Sequence, residues 1–299
     1  MPIVALLFLI GLLTTIASGA AAAAQCEITP STLQFGAVDT LATGSTSSAG
    51  AEIAINCTDI AQAQVSMCLF ARSQTGDEGN SRTLISSSEG RLAYSVSTGN
   101  NQSWPNDQAI AVHLEATTGG AASGTVSVTG RIEAGQSDAP TGTYTGSILV
   151  SGQYQEGSAS CSAMTGMLEE RALNVAARVE PNCNVEAEDI NFGEVTSLNN
   201  VPDVQGGLRI ACTPGAGYSL MLSGGNNWQN GQRYMRGTQS AGLVAYDLLT
   251  DGAAWGLEPR PYDASNEIVP IIGHAPSQAE QPVDNYQDTV IATVFYNAP

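Results

Sequence analysis

"CNVEAEDINFGEV" occupies residues 183–195, and "CEITPSTLQFGAV" occupies residues 26–38. Each runs nine residues from a cysteine to a Phe-Gly pair, Phe192-Gly193 in one and Phe35-Gly36 in the other, with a valine two residues beyond. A second cysteine follows each at a similar distance, in "AINCT" (Cys57) and "RIACT" (Cys212). Further on, "LAYSVSTGNNQSW" (Tyr94, Trp104) answers "VAYDLLTDGAAW" (Tyr246, Trp255). Finally "PTGTYTGSILVSGQY" answers "PVDNYQDTVIATVFY", with ten residues from Tyr144 to Tyr154 and from Tyr286 to Tyr296. Landmarks repeating in order at nearly constant spacing define two copies of one module, about 26–154 and 183–297.

Both copies read as all-β. Short alternating runs ("AEIAINC", "GTVSVTGRI", "GSILVSGQY", "YSLMLSG", "DTVIATVFY") are separated by Gly, Asn, Ser and Pro turns. That pattern, at roughly 100–130 residues per copy, predicts two immunoglobulin-like β-sandwiches in tandem.

Ahead of the repeat, "PIVALLFLIGLLTTIASG" is an apolar stretch and "AAAA" supplies small residues before Gln25, the pattern of a signal peptide over 1–24 cleaved near Gln25. An uncleaved membrane anchor is the competing reading, disfavoured by the short, Ala/Ser/Gly-rich span. The expected organisation is therefore 1–24 signal peptide, 25–155 N-terminal domain, 156–180 linker and strand, and 181–299 C-terminal domain. The chain carries ten basic residues, all Arg, against 28 acids, for a net charge of −18. That balance argues against binding nucleic acid or anionic lipid electrostatically.

Six cysteines in an exported chain read as three disulfides rather than a metal site. Six cysteines permit fifteen pairings, but the repeat suggests Cys26–Cys57 and Cys183–Cys212. Cys68 and Cys161 have no counterparts in the second copy and are left for each other.

Taken together, these residues resemble the spore coat protein U (SCPU) domain family, and specifically the two-domain tip adhesin subunit of archaic chaperone–usher (Csu-type) pili. The resemblance rests on the Cys-x8-Phe-Gly opening, the second cysteine, "SGGNNWQNGQRYM" leading to "VAYDLLTDGAAWG", and the closing "YQDTVIATVFY". The second copy matches over nearly its whole length. The first diverges: "SRTLISSSEGRLAYSV" keeps Arg-x-Leu and Ala-Tyr, but "SWPND" replaces Trp-Gly. The resemblance implies pilin-type sandwiches that lack a final strand and take one from another chain by β-augmentation.

The run "RALNVAARVEPNCNV" (171–185) then acquires a role. Leu173, Val175, Ala177 and Val179 alternate, so an extended chain lines them on one face. The run precedes Cys183, where a shaft subunit's donor strand would precede its own first cysteine. One reading makes these residues a donor that completes the first module within the same chain; the other makes 171–180 an ordinary strand of the second module. Under the first, cleavage near Gln25 leaves no donor ahead of Cys26, the second module ends at "VFYNAP" with an open groove, and the subunit sits at the tip. The implied partners are a periplasmic pilus chaperone, an outer-membrane usher and the next pilus subunit, with export through the periplasm to the cell surface.

No nucleophile elbow, HExxH, P-loop or dinucleotide fingerprint occurs, and we expect no enzyme, catalytic residue, metal or cofactor. His113 falls in an alternating run and His274 in a loop; Glu169-Glu170 and Glu186/Glu188/Asp189 read as solvated positions. "NCT" and "NQS" fit a glycosylation sequon at Asn56 and Asn101, but the implied family is bacterial. The expected function is adhesive, with attachment and biofilm formation mediated by loops of the N-terminal domain: 41–50, 72–84, 99–107 and 117–124. The apolar tips singled out are Trp104, Pro105, Ala121 and Ala122, with shared framework as the other reading of Trp104. A structural spore-coat or cell-surface protein without adhesive activity is the alternative.

Overall fold

The computed structural model describes residues 23–44, 46–75, 80–99, 101–262 and 266–296. The expected signal peptide lies almost wholly outside them. The architecture is all-β, in two modules. The first contains β1 (Gln25–Pro30), β2 (Leu33–Val38), β3 (Ser47–Thr58), β4 (Gln64–Ser73), β5 (Ser81–Ser86), β6 (Arg91–Thr98), β7 (Gln102–Ser103), β8 (Ala109–Glu115), β9 (Ala122–Ile132), β10 (Gly142–Glu156) and β11 (Gly166–Val179). The second contains β12 (Cys183–Ala187), β13 (Val204–Cys212), β14 (Tyr218–Leu222), β15 (Arg233–Gly237), β16 (Leu243–Thr250), β17 (Ala253–Ala254), β18 (Arg260–Tyr262), β19 (Asn266–His274), β20 (Tyr286–Gln287) and β21 (Ala292–Tyr296).

In the first module the ladder runs β1-β3-β9-β6-β5-β10-β11-β2, and β4 joins β10 to β8. β10 belongs to both layers: Tyr144 and Thr145 face Ser86 and Ile85 of β5, while Ile148 to Glu156 pair with β4. Alternation does the sorting. In β3, Ala51, Ile53, Ile55 and Cys57 are buried and the residues between them lie at least partly in water. The second module repeats the order β12-β13-β19-β16-β15-β20, with a second layer β18-β14-β21.

The placement of β11 organises the first module. It runs antiparallel to β10, pairing Tyr144 with Ala177, Gly146 with Val175 and Ile148 with Leu173. Its other edge pairs in parallel with β2, Val175 to Leu33 and Val179 to Val38. Leu173, Val175, Ala177 and Val179 are all buried in the core of the first module, among Leu33, Ile148 and Val150. The β2 edge bulges at the Phe-Gly pair, where the register skips between Ala176 and Arg178 and Gly36 takes φ +69°, a conformation that costs glycine little. Gly193 repeats it at φ +72°.

Three disulfides join Cys26 to Cys57, Cys68 to Cys161 and Cys183 to Cys212. The first and third link residues directly opposite each other at the start of each module, β1 to β3 and β12 to β13. The second ties the segment just ahead of β11 to β4. Only residues 180–182 separate β11 from β12. There Asn182 Nδ2 donates to Asp39 Oδ2 (2.9 Å), the Thr141 amide donates to the Pro214 carbonyl (2.8 Å), and buried Thr213 receives the Asn182 amide on its hydroxyl (3.2 Å).

Replacing Val175 or Val179 with Asp should destabilise the first module by about 3–5 kcal/mol, because an unpaired carboxylate enters its core. Asn174→Asp, on the exposed face of the same strand, should change stability by less than about 0.5 kcal/mol. Calorimetry of the full chain with module-resolved proteolysis checks this; a loss confined to the second module contradicts the packing of β11.

Candidate functional site: an open strand groove

The two copies can be compared position by position. Counting from Cys26 and Cys183, Ile28 matches Val185, Leu33 matches Ile190, Phe35 matches Phe192 and Val38 matches Val195. Counting from Tyr144 and Tyr286, Gly146 matches Asp288, Ile148 matches Val290 and Val150 matches Ala292. Both tyrosines make the same corner, donating to the carbonyl four residues upstream, Pro140 at 2.7 Å and Pro282 at 2.6 Å.

The burial of these pairs differs in one direction. Ile28 is 2% exposed and Val185 37%; Val38 is 3% exposed and Val195 40%. Leu33, Tyr144, Ile148 and Val150 are sealed, whereas Ile190, Tyr286, Val290 and Ala292 are only partly covered. Every one of these first-module residues lies in the core that β11 helps to close. In the second module, residues 189–195 carry no ladder pairing, and no described strand lies where β11 lies in the first. Phe192 and Ile190 still pack over Gly273, as Leu33 and Phe35 pack over Gly130; a Cβ on Gly273 would come within 2.6 Å of Ile190 and one on Gly130 within 2.5 Å of Leu33. The floor of the groove is therefore built, and its filling is missing.

The facing edge is broken as well. The continuous β10 is answered by two short strands, β20 and β21, interrupted over 288–291. β20 pairs with β15 and β21 with β14, so each half holds to a different layer. Ser223 bridges the interruption: its amide donates to the Ile291 carbonyl and its hydroxyl accepts from the Ile291 amide, both at 2.9 Å. Asp288 lies at the break. Its Oδ1 accepts from the Asn226 amide (2.8 Å) and Asn227 Nδ2 (3.3 Å), and its Oδ2 accepts from the buried Tyr246 hydroxyl (2.6 Å).

A buried arginine supports each core. Arg82 donates to the Trp104 carbonyl (2.9 Å), and Arg233 donates to the Trp255 carbonyl (2.7 Å) and to the Ser223 carbonyl through Nε and Nη2. The Arg-x-Leu of the first copy signalled a shared residue at Arg82, but not its interior position. Asp288 was legible only as a difference from Gly146.

Trp104 is buried, with its indole donating to the Gln108 carbonyl (3.1 Å), and Ala122 is buried at the start of β9. Neither is an exposed loop tip: the ring fills the core, and the Trp104 backbone carbonyl is the acceptor for Arg82. Pro105 is half-buried in a loop held along β4 by the Asp107 amide and the Ala71 carbonyl. Ala121 is exposed. Residues 41–44 follow β2, whose last pairing is with the last residue of β11, so they face the second module rather than the free end. The far end is formed by residues 59–63, 116–121 and 157–165, tied together by Ile60 N to Gly120 O, Ala116 N to Ala63 O and Gly157 N to Gln64 O. Ala61, Ala63, Thr117, Thr118 and Ala121 are exposed there. His113 Nδ1 meets buried Ser66 Oγ at 3.0 Å, and His274 Nδ1 meets Asp203 at 2.7 Å on the surface. Glu169 and Glu186 pair with Arg171 and Arg209 in exposed contacts.

The geometry defines a tandem protein with one closed pilin-type sandwich and one lacking a strand. The chain belongs to the Spore Coat Protein U domain family, whose model matches residues 12–151 and 169–293. Among solved structures, the chaperone–tip adhesion subunit pre-assembly complex CsuC–CsuE of archaic chaperone–usher Csu pili of Acinetobacter baumannii matches at 16% identity, over 90% of this chain and 99% of that one, with a TM-score of 0.56. The CupB6 tip adhesin of Pseudomonas aeruginosa matches at 12% identity, over 90% and 93%, with a TM-score of 0.42. No curated protein sequence matches. The second family match begins at residue 169, within β11, whereas the fold places β11 in the first module.

Burial raises the pKa of Tyr246, Tyr218 and Tyr262 above the ordinary tyrosine value, helped by the carboxylates of Asp288 for Tyr246 and Glu267 for the other two. In the first module burial raises Tyr144. A raised folded-state pKa leaves stability complete below the unfolded value of about 10 and erodes it above, where the unfolded chain releases protons the folded chain holds. The second module should therefore unfold first as pH rises above about 10, with ionisation of Tyr218, Tyr246 and Tyr262 coinciding with loss of structure. Ionisation of these three ahead of unfolding, read as the tyrosinate absorbance lost in their Phe variants, would contradict this.

Proposed function

We propose that the chain is a secreted bacterial pilus subunit of the chaperone–usher type, and the adhesive subunit at the fibre tip. The observation that carries this is the paired exposure difference: residues covered by β11 in the first module are open at the same positions in the second. A groove with a formed floor and a broken edge is suited to accept a strand from another protein. In the periplasm that strand comes from a pilus chaperone, and after passage through the outer-membrane usher it comes from the next subunit. The chaperone–adhesin complex among the similar folds supports the first of these partners.

The tip position is supported by how β11 is used. In a shaft subunit the run preceding the first cysteine of the module is the one given to a neighbour. Here the run preceding Cys183 is consumed inside its own chain, acting as an intramolecular donor strand through Leu173, Val175, Ala177 and Val179. The first module is thereby closed and presents its far end outward. The small uncharged side chains of Ala61, Ala63, Thr117, Thr118 and Ala121 lie there, suited to contact by burial at about 25 cal/mol per Å² rather than by ion pairing. We read attachment and biofilm formation as the consequence, with no catalytic step.

Two experiments test this. Full-length protein expressed with its periplasmic chaperone should form a stable stoichiometric complex. Released from it, the second module should be cut by protease while the first resists; equal resistance without any partner sinks the reading. Separately, Ala61→Asp combined with Ala121→Asp should reduce surface attachment of piliated cells severalfold without altering pilus number, and unchanged attachment would remove these loops from the binding end.

A further inference from the structure

The first module shows what an occupied groove looks like from inside. Along β11, Leu173 lies opposite Ile148, Val175 opposite Gly146 and Ala177 opposite Tyr144. Gly146 has no Cβ to set there, and one would come to 3.0 Å from Leu84 Cδ2. The valine of the filling strand therefore stands against a bare backbone.

At the matching position of the second module stands Asp288. Its carboxylate points to the core side, since Oδ2 is reached by the buried hydroxyl of Tyr246. Directly opposed residues of an antiparallel pair hold their Cβ atoms about 4.5–5.5 Å apart. The side chain of any strand that enters the second groove in the register of β11 thus lands against Asp288. A β-branched apolar residue in that place would strip water from a carboxylate and offer no hydrogen in exchange. Glycine would leave the carboxylate hydrated. A Ser or Thr hydroxyl would donate to Oδ2, which accepts from the Tyr246 hydroxyl and has a second lone pair.

We propose that Asp288 sets the specificity of the second groove. The strand it accepts carries Gly, Ser or Thr opposite Asp288, a large aliphatic residue two positions earlier opposite Val290, and a small residue two positions later opposite Tyr286. The run that closes the first module has Val175 in the discriminating place and fits the second groove poorly. Copies of this chain are thereby kept from filling one another's grooves. This inference rests on the reading that the groove accepts a strand.

The test uses full-length protein and fluorescent peptides copied from 171–180, RALNVAARVE, with the position of Val175 kept as Val or replaced by Gly, Ser or Thr. A terminal photo-crosslinker maps each peptide to 189–195 or 286–296. The Ser, Thr and Gly peptides should bind the second groove roughly tenfold more tightly than the Val peptide. In Asp288→Gly the order should reverse in favour of Val, and in Asp288→Asn, which retains size, the preference for a hydroxyl should fall. Should Asp288→Gly fail to fold, the ranking on the unaltered protein and on Asp288→Asn still decides. Peptides that bind without regard to this position overturn the role of Asp288 and leave the groove reading standing. Absence of binding by every peptide removes the groove reading and the inference together.

Discussion

The fold hinges on one strand held between two others that have no other link. β11 is hydrogen-bonded to β10 on one side and to β2 on the other. Its four inward side chains close a core that includes Leu33, Phe35, Tyr144, Ile148 and Val150. β10 belongs to both layers, its first part pairing with β5 and its later part with β4. A strand running along its whole length keeps it continuous, and β10 spans fifteen residues without interruption.

The second module shows the same design with that strand withheld. The answering strand breaks at Asp288, and the segment answering β2 loses its ladder. Core-facing residues such as Val185 and Val195 meet water. Full exposure of an aliphatic side chain forgoes about 1.5–3 kcal/mol, and Val185 and Val195, 37% and 40% exposed, forgo part of that, so several such positions leave the module less stable than its twin. The disulfide Cys183–Cys212, the Tyr286 corner and the Arg233–Trp255 contact remain, which is why the groove has a defined floor. A formed floor lowers the ordering cost that an incoming strand must meet.

How far the sequence carried this differs by residue. The Phe-Gly pairs, the cysteine spacing and the ten-residue tyrosine intervals are local or periodic, and they mark the repeat directly. Trp104, beside a proline in a Gly/Asn-rich loop, admits a surface-tip and a framework reading; the structure decides for framework, with its ring buried and Arg82, twenty-two residues away, reaching its carbonyl. Asp288 shows in the sequence only as a difference from Gly146; alternation sets it on the face of Val290 and Ala292, but nothing along the chain says what meets it there. Its inward orientation comes from Tyr246 and the 226–227 loop, contacts across sixty residues or forty.

By itself the sequence determined that this is a tandem β protein with six cysteines, four of them repeat landmarks, because repeats and period-two alternation are written along the chain. It also marked Leu173 to Val179 as a strand with one apolar face. It left open which module that strand joins, and family matching along the chain groups it with the second. Tertiary structure alone decided for the first. The reason is physical: alternation fixes which face of a strand is apolar, but the edge it pairs with depends on which core has an unfilled gap within reach of the linker.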